Sequence, residues 1–133
     1  MKEAGRTTAQ ALLAAREQVR DGVSTYELDR VIRNTIEREG AKPSFLGYYG
    51  FPGSACISIN DEVIHGIPGK RIIRSGDIVS IDVGASYKGF VGDCAGTFAC
   101  GEISEEAKKL VEVTKESMDL VLKAIPAPDK EEI

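Results

Sequence analysis

The sequence predicts a mixed α/β (α+β) fold class, with an antiparallel sheet covered by helices on one face. Three observations predict it. Residues 2–21 and 24–39 have helical composition and periodicity, residues 76–98 form two strand-like runs joined by a turn signal, and Ser104 begins a third helical pattern. With 133 residues and 42% hydrophobic content, we expect one domain with a sizeable core.

Composition excludes several classes of function. A net charge of −4 gives no basic patch, so we expect no nucleic-acid partner. No apolar run has membrane-spanning length, so we expect no membrane partner. Three cysteines without a C-x-x-C spacing argue against a disulfide framework and favour a cytoplasmic protein. With a single histidine, any metal site within this sequence must depend on carboxylates.

The N-terminal region predicts two consecutive helices. Residues 2–21 form the first, with Gly22 at its end and an imperfect apolar stripe of Ala9, Leu12, Leu13, Arg16 and Val19. Ser24 and Glu27 make a capping-box pattern that begins a second helix, ending near Glu39. Its apolar face is Leu28, Val31, Ile32 and Ile36. The short link between the helices predicts an antiparallel pair on a sheet.

Residues 43–53 have neither helical nor strand periodicity and predict a loop of defined shape. Four aromatic residues lie there among three glycines and two prolines. The loop is either a hydrophobic lid over the core or one wall of an apolar pocket. Residues 54–59 alternate as a strand, and residues 62–65 are predicted as its return strand. His65 then ends that strand beside glycines, where a lone histidine is either structural or functional.

The two runs between residues 76 and 98 each carry one aspartate in an apolar or small setting. A turn centred on residues 87–88 would pair Asp82 directly with Asp93, about 5 Å apart at Cβ. Two carboxylates so placed require either a proton or a cation, and we favour the cation. Their face carries small residues, whereas the opposite face has glycines on its second strand that would let a helix approach closely.

The C-terminal region predicts a third helix and a tail. Ser104 is its expected N-cap, and an apolar stripe runs from Ala107 to Ile125. Residues 126–133 are predicted as a charged, proline-containing tail after a half-domain of residues 1–125.

Three segments together resemble the type I methionine aminopeptidases: PSFLGYYGFPGSACISINDEVIHGIPG, SGDIVSIDVG and GFVGDCAGTF. They occur in that family's order and spacing, and the similarity extends from about residue 3 to about residue 125. The resemblance implies the N-terminal half of a pita-bread fold. It also implies a metallo-aminopeptidase that removes the initiator methionine from nascent chains through a dinuclear, metal-activated water.

The resemblance also implies roles for particular residues. Asp82 and Asp93 would be metal ligands, with Asp93 bridging both of two divalent ions (Mn, Fe, Co or Zn) and Asp82 chelating one. His65 would contact the substrate amide, and a monovalent cation would lie near Asn60 and Glu62. The methionine side-chain pocket would be lined by Phe45, Tyr48, Phe51 and Cys56, although Cys56 also suits plain packing.

The sequence lacks the family's remaining metal ligands, a histidine and two glutamates of the C-terminal half. We therefore expect a truncated relative whose activity alone is weak or absent, and no complete set of catalytic residues. Two alternatives remain: a half-domain that self-associates as a twofold homodimer, and a non-catalytic module that pairs with a separate C-terminal half.

Overall fold

The computed structural model of the protein describes residues 1–125, in which two helices are followed by four antiparallel strands and a third helix. The elements are α1 (Lys2–Arg16), α2 (Thr25–Arg38), β1 (Lys42–Pro43), β2 (Ala55–Ile59), β3 (Ile78–Tyr87), β4 (Phe90–Ala99) and α3 (Glu105–Ala124). The chain forms two units, Met1–Ile103 and Ser104–Ile133. The first unit contains the sheet with α1 and α2.

Strand β3 is the centre of the sheet. It pairs antiparallel with β4 along one edge, and with β2 and then β1 along the other. Helix α1 packs on β3 and β4, and α2 packs on β1 and β2. The core between helices and sheet includes Leu28, Ile32, Ile36, Ile57, Ile59, Ile73, Val79, Ile81 and Val83. The predicted fold class, an antiparallel sheet with helices on one face, is confirmed.

The β3–β4 turn differs from the prediction. It is formed by Lys88 and Gly89, which both have positive φ angles (49° and 82°), and not by residues 87–88. Two-residue hairpin turns favour two consecutive positive φ angles, and glycine adopts the second without strain. Asp82 therefore lies opposite Ala95, and Asp93 lies opposite Gly84. The predicted direct Asp82–Asp93 pairing is wrong by two residues, but both aspartates remain on one face.

Helix α1 ends at Arg16, five residues before its predicted end. Beyond it, the backbone pairs with another segment: the Gly22 N–H donates to the Ile73 carbonyl (3.0 Å), and the Ile73 N–H donates to Val23 (2.8 Å). The predicted apolar stripe is correct only in part: Leu12 and Val19 pack against the core, whereas Leu13 is exposed. The fully buried side chains of α1 are small: Ala4, Thr7, Thr8, Ala11 and Ala15.

Close packing explains why the buried face of α1 carries small side chains. A Cβ on Gly92 of β4 would lie 2.5 Å from backbone atoms of Ala4. The helix backbone therefore rests directly on the strand, and only small residues fit at the contact. The predicted role of the β4 glycines in helix approach is confirmed at Gly92.

Helix α2 begins as predicted. The Glu27 N–H donates to Ser24 Oγ, and Glu27 Oε2 accepts from the Ser24 N–H, which completes the capping box. The helix also buries Asp29, whose Oδ1 accepts from the backbone N–H groups of Ser54 (2.7 Å) and Ala55 (3.0 Å). This carboxylate thereby fixes where β2 begins.

Residues 62–65 form an irregular segment, so the predicted return strand is wrong. One backbone bond joins this region to β2, from the Ile57 N–H to the Gly66 carbonyl (2.9 Å). The Ile59 N–H donates instead to the Glu62 side chain (2.8 Å). A side-chain acceptor thus occupies a position that a return strand would have paired.

Helix α3, taken by itself, begins at the predicted cap, where the Ala107 N–H donates to Ser104 Oγ (3.1 Å). No helix within residues 1–125 is long and apolar enough to cross a membrane. The predicted tail, residues 126–133, lies outside the described residues.

Candidate functional site

The site is built on the sheet face opposite the helices. Asp82 and Asp93 occupy diagonal positions there, which places their Cβ atoms about 7 Å apart and lets the carboxyl groups turn toward each other. Gly84 lies directly opposite Asp93 and contributes no side chain between them. The hairpin thus brings together the two acids that the sequence singled out.

The environment of Asp82 disfavours its charged form. Burial raises the pKa of the Asp82 carboxyl, the facing carboxylate of Asp93 raises it further, and His65 partly offsets these effects. Its Oδ1 atom is buried and accepts no hydrogen bond from any of the described residues. A buried acceptor without a partner is costly unless another group satisfies it.

The two carboxylates fit part of a divalent-metal site. Hard and borderline divalent ions prefer oxygen ligands, and the free Oδ1 of Asp82 offers one beside a second carboxylate. Among residues 1–125, however, no three His, Cys, Asp or Glu side chains are grouped closely enough to hold a metal ion. The described residues therefore offer two carboxylates here, fewer ligands than a divalent-metal site needs.

A cavity of about 500 Å³ opens beside Asp82. That volume is within the range of small-molecule sites. Its lining is mostly aromatic and aliphatic, with Asp82 as its one carboxyl group and His65 as its one imidazole. The lining residues are Phe45, Tyr48, Tyr49, Phe51, Cys56, His65, Ile67 and Asp82.

The structure therefore brings the five residues predicted for substrate binding to one cavity with Asp82. Sequence reasoning missed two other lining residues, Tyr49 and Ile67. A signal for Tyr49 was present, because it lies between Tyr48 and Gly50 in the aromatic loop. Ile67 follows His65 by two residues in a glycine-containing segment and carried no comparable signal.

The aromatic loop is attached to the sheet by close packing at Gly84. The Phe45 ring lies where a Cβ on Gly84 would be, 2.6 Å from the nearest ring carbon. The neighbouring Ser44 N–H donates to the Gly84 carbonyl (2.9 Å), and Ser44 Oγ is hydrogen-bonded to Ser86 Oγ (2.8 Å). A glycine in the central strand thus allows an aromatic ring to form one wall of the cavity.

His65 is directed to the cavity by its backbone. It has a positive φ of 58°, and a Cβ on the next residue, Gly66, would lie 2.1 Å from the carbonyl oxygen of Ile57. Only glycine can pass so close to β2. The Gly66 N–H also donates to Ser58 Oγ (3.0 Å). These contacts hold the segment and fix His65 at the cavity.

Cys56 lies opposite Asp82 on β2. Burial raises the pKa of the Cys56 thiol, and the charges of Asp82 and Asp93 raise it further. The group therefore remains a neutral thiol at neutral pH, which suits an apolar pocket wall and not a nucleophile.

The side chains near the predicted monovalent-cation position already have protein partners. Asn60 Nδ2 donates to Asp77 (2.8 Å), and Asn60 Oδ1 accepts from the Ile78 N–H (3.0 Å). Glu62 pairs with Arg71 (2.7 Å). Backbone oxygens of this turn and the exposed Asp61 carboxylate remain for a cation, and the cation stays a prediction.

The sequence is similar to curated methionine aminopeptidases. It is 49% identical over 118 residues to methionine aminopeptidase 1 of Bacillus subtilis, covering 89% of this chain and 48% of that protein. It is 46% identical to the methionine aminopeptidase of Aquifex aeolicus, covering 95% of this chain and 52% of that protein. The chain thus spans about half the length of these relatives and matches their N-terminal part.

Solved structures give the same relationship. The methionine aminopeptidase of Thermotoga maritima matches with a TM-score of 0.92 and 40% identity, covering 94% of this chain and 51% of that chain. A prolidase from Pyrococcus furiosus matches with a TM-score of 0.76 and 25% identity, covering 86% of this chain and 33% of that chain. These neighbours are pita-bread proteins, of which the chain covers between a third and about a half. Residues 1–130 match the model of metallopeptidase family M24, and the chain belongs to that family.

Proposed function

We propose that this chain is the part of a methionine aminopeptidase that holds the N-terminal methionine side chain and supplies two carboxylates of a dinuclear metal centre. The observation that supports this most is the adjacency of the apolar cavity to Asp82, whose buried Oδ1 lacks a partner among the described residues. The methionine side chain and the metal ions would then bind next to each other on the sheet.

The cavity suits a methionine side chain. Phe45, Tyr48 and Phe51 offer aromatic surface, and a thioether makes favourable contacts with aromatic rings. An unbranched side chain can also enter between the loop and β2 without displacing either. In this arrangement, the bond to be cleaved lies beside Asp82 and His65.

Asp93 would bridge the two metal ions and Asp82 would chelate one. When bound, the ions supply an acidified water and polarise the scissile carbonyl. The donor set does not distinguish Mn, Fe, Co and Zn. His65 would hydrogen-bond to the substrate amide, and the cavity walls would exclude water from the methionine side chain. The remaining ligands would come from groups outside residues 1–125.

We expect the nascent-chain N-terminus to be the partner, which implies action in the cytoplasm. A monovalent cation at the backbone oxygens near Asn60 is part of the same proposal. The twofold dimer, which would join two copies of the Asp82–Asp93 pair, also stays a prediction.

The test is binding, measured separately from turnover. In ¹⁵N NMR titrations, methionine amide should shift the resonances of the cavity residues, and aspartic acid amide should not. Mn²⁺ should broaden resonances around Asp82 in the wild-type chain, and this effect should be lost in Asp82→Asn. Asp61→Asn, an exposed acid that does not line the cavity, is the matched control.

Turnover of a Met-Ala peptide with Mn²⁺ or Co²⁺ should be weak or absent, because two protein ligands hold such a centre poorly. The proposal fails if methionine amide leaves the cavity resonances unmoved, or if Mn²⁺ broadens them equally in the Asp82→Asn variant.

A further inference from the structure

Tyr49 has an unusual combination of properties. It lines the cavity, yet the residue is 94% exposed. Its backbone is left-handed, with φ 45° and ψ 35°. Bulky residues rarely adopt this conformation, and an exposed ring gains little from burial to offset its cost. Core packing therefore does not explain why a tyrosine is present here.

Two of the four non-glycine residues with positive φ within residues 1–125 line this same cavity. They are Tyr49 and His65. The other two are in turns with evident structural roles: Lys88 forms the β3–β4 turn, and the Asn60 side chain bonds to Asp77 and Ile78. Residues held in a strained backbone conformation are typical of binding sites, and Tyr49 is the one of these four for which no role has yet been given.

The backbone that carries the Tyr49 ring is held by a closed turn. The turn is closed by its own backbone bonds, from Gly47 to Phe51 (2.8 Å) and from Phe51 to Tyr48 (2.9 Å). The Tyr48 ring contacts the Tyr49 ring edge-to-face, with centroids 4.6 Å apart. The backbone at Tyr49 therefore needs no ordering when a ligand binds, which lowers the entropic cost of a contact with the ring.

The cavity lining near Tyr49 is mostly apolar and contains no Lys or Arg. Ile67, 63% exposed, lines the same cavity as Tyr49. No Lys or Arg contributes to the lining, and Asp82 carries the potential negative charge. An acidic group beside Tyr49 and Ile67 would find no Lys or Arg partner, with His65 as the one basic side chain of the lining, whereas an apolar group would find aromatic and aliphatic surface.

We propose that Tyr49 is a specificity-determining residue that contacts the second residue of a peptide whose first side chain fills the cavity. The contact favours an uncharged apolar second residue over an acidic one. This inference rests on the proposed function, because it requires the first side chain to bind in the cavity.

The test compares three ligands in ¹⁵N NMR titrations of the whole chain: methionine amide, Met-Val amide and Met-Asp amide. Wild type should bind Met-Val amide more tightly than Met-Asp amide. Tyr49→Gly removes the ring while allowing the positive φ, so the turn should persist. It should weaken the binding of Met-Val amide about threefold to tenfold, the range of one aromatic contact, and weaken the binding of methionine amide, which has no second residue, by less.

Two further variants separate the ring from other effects. Tyr49→Phe should retain the affinity for Met-Val amide, since the ring makes the contact. Tyr26→Ala, which removes an exposed tyrosine that does not line the cavity, should leave all three ligands unchanged.

The inference is overturned if Tyr49→Gly leaves Met-Val amide unchanged or weakens methionine amide to the same extent. If methionine amide fails to bind wild type, the proposed function and this inference both fail. If methionine amide binds but Tyr49→Gly has no selective effect, only the inference about Tyr49 fails.

Discussion

The two sides of the sheet bury aspartates in opposite ways. On the helix-covered side, Asp29 is 8% exposed and its Oδ1 accepts two backbone N–H groups. On the cavity side, Asp82 has a buried Oδ1 that accepts none from the described residues. Burial raises the pKa of both carboxyls. The helix-covered side satisfies its polar groups internally, and the cavity side leaves one available to a ligand.

Two glycines of the sheet, one facing each side, differ in a similar way. Gly92 admits the backbone of α1, and Gly84 admits the ring of Phe45. On one side the close approach closes the core, whereas on the other it builds a cavity wall. Substitutions should therefore cost stability on the helix-covered side and cost binding on the cavity side.

The largest effect is expected for Gly92→Val. The new side chain would collide with the Ala4 backbone, 2.5 Å from its Cβ, and separate α1 from β4. We expect a loss of about 3 kcal/mol in the free energy of unfolding, measured by urea denaturation. The matched control is Gly5→Ala, whose Cβ would meet nothing within 4 Å and should stabilise α1 by up to about 1 kcal/mol. Equal stability of the two variants would contradict this packing account.

A smaller loss is expected for Asp29→Ala. Removal of the carboxylate leaves the buried N–H groups of Ser54 and Ala55 without an acceptor, which should cost about 2 kcal/mol. Asp29→Asn retains an oxygen that can accept both bonds and should cost less. If the two variants lose the same stability, the hydrogen bonds are not the cause.

The Asp29→Asn variant also tests how the free energy of unfolding depends on pH. Because the folded pKa of Asp29 is raised above its ordinary value of 3.8, its protonated form stabilises the fold below that value. That contribution is lost as pH rises through the folded pKa. The stability of wild type relative to Asp29→Asn should therefore fall as pH rises across this window, as followed by urea denaturation at each pH.

The smallest expected change in the free energy of unfolding is a gain in stability and not a loss. Asp82→Asn removes a buried charge facing Asp93, so the metal-free chain should gain up to about 1 kcal/mol while losing its response to Mn²⁺. Thermal unfolding in the presence of a chelator measures this gain. A loss of stability would show that Asp82 is structural, as Asp29 is.

The sequence predicted most of the fold where local signals agreed with tertiary packing. The capping box of Ser24 and Glu27 defined the start of α2, and Ser104 that of α3. The end of α1 could not be predicted, because it depends on pairing of Gly22 and Val23 with Ile73, fifty or so residues away.

The sequence predicted which residues belong to the candidate site better than it predicted how they are arranged. Alternation along two strands placed Asp82 and Asp93 on one face, but the register depended on which residues take positive φ, and Lys88 gave no signal for that. The place of His65 depends on the close passage of Gly66 along β2, which periodicity cannot reveal.

The outer edge of β2 has a consequence for solubility during synthesis. Its outward N–H groups are occupied by three different acceptors: Asp29 for Ala55, the Gly66 carbonyl for Ile57, and Glu62 for Ile59. Exposed strand edges recruit strands of other chains and seed aggregates. Each donor of this apolar strand already has a partner, and two of the three partners are carboxylates. The same contacts that place His65 and Cys56 therefore also guard the chain against intermolecular strand pairing along β2.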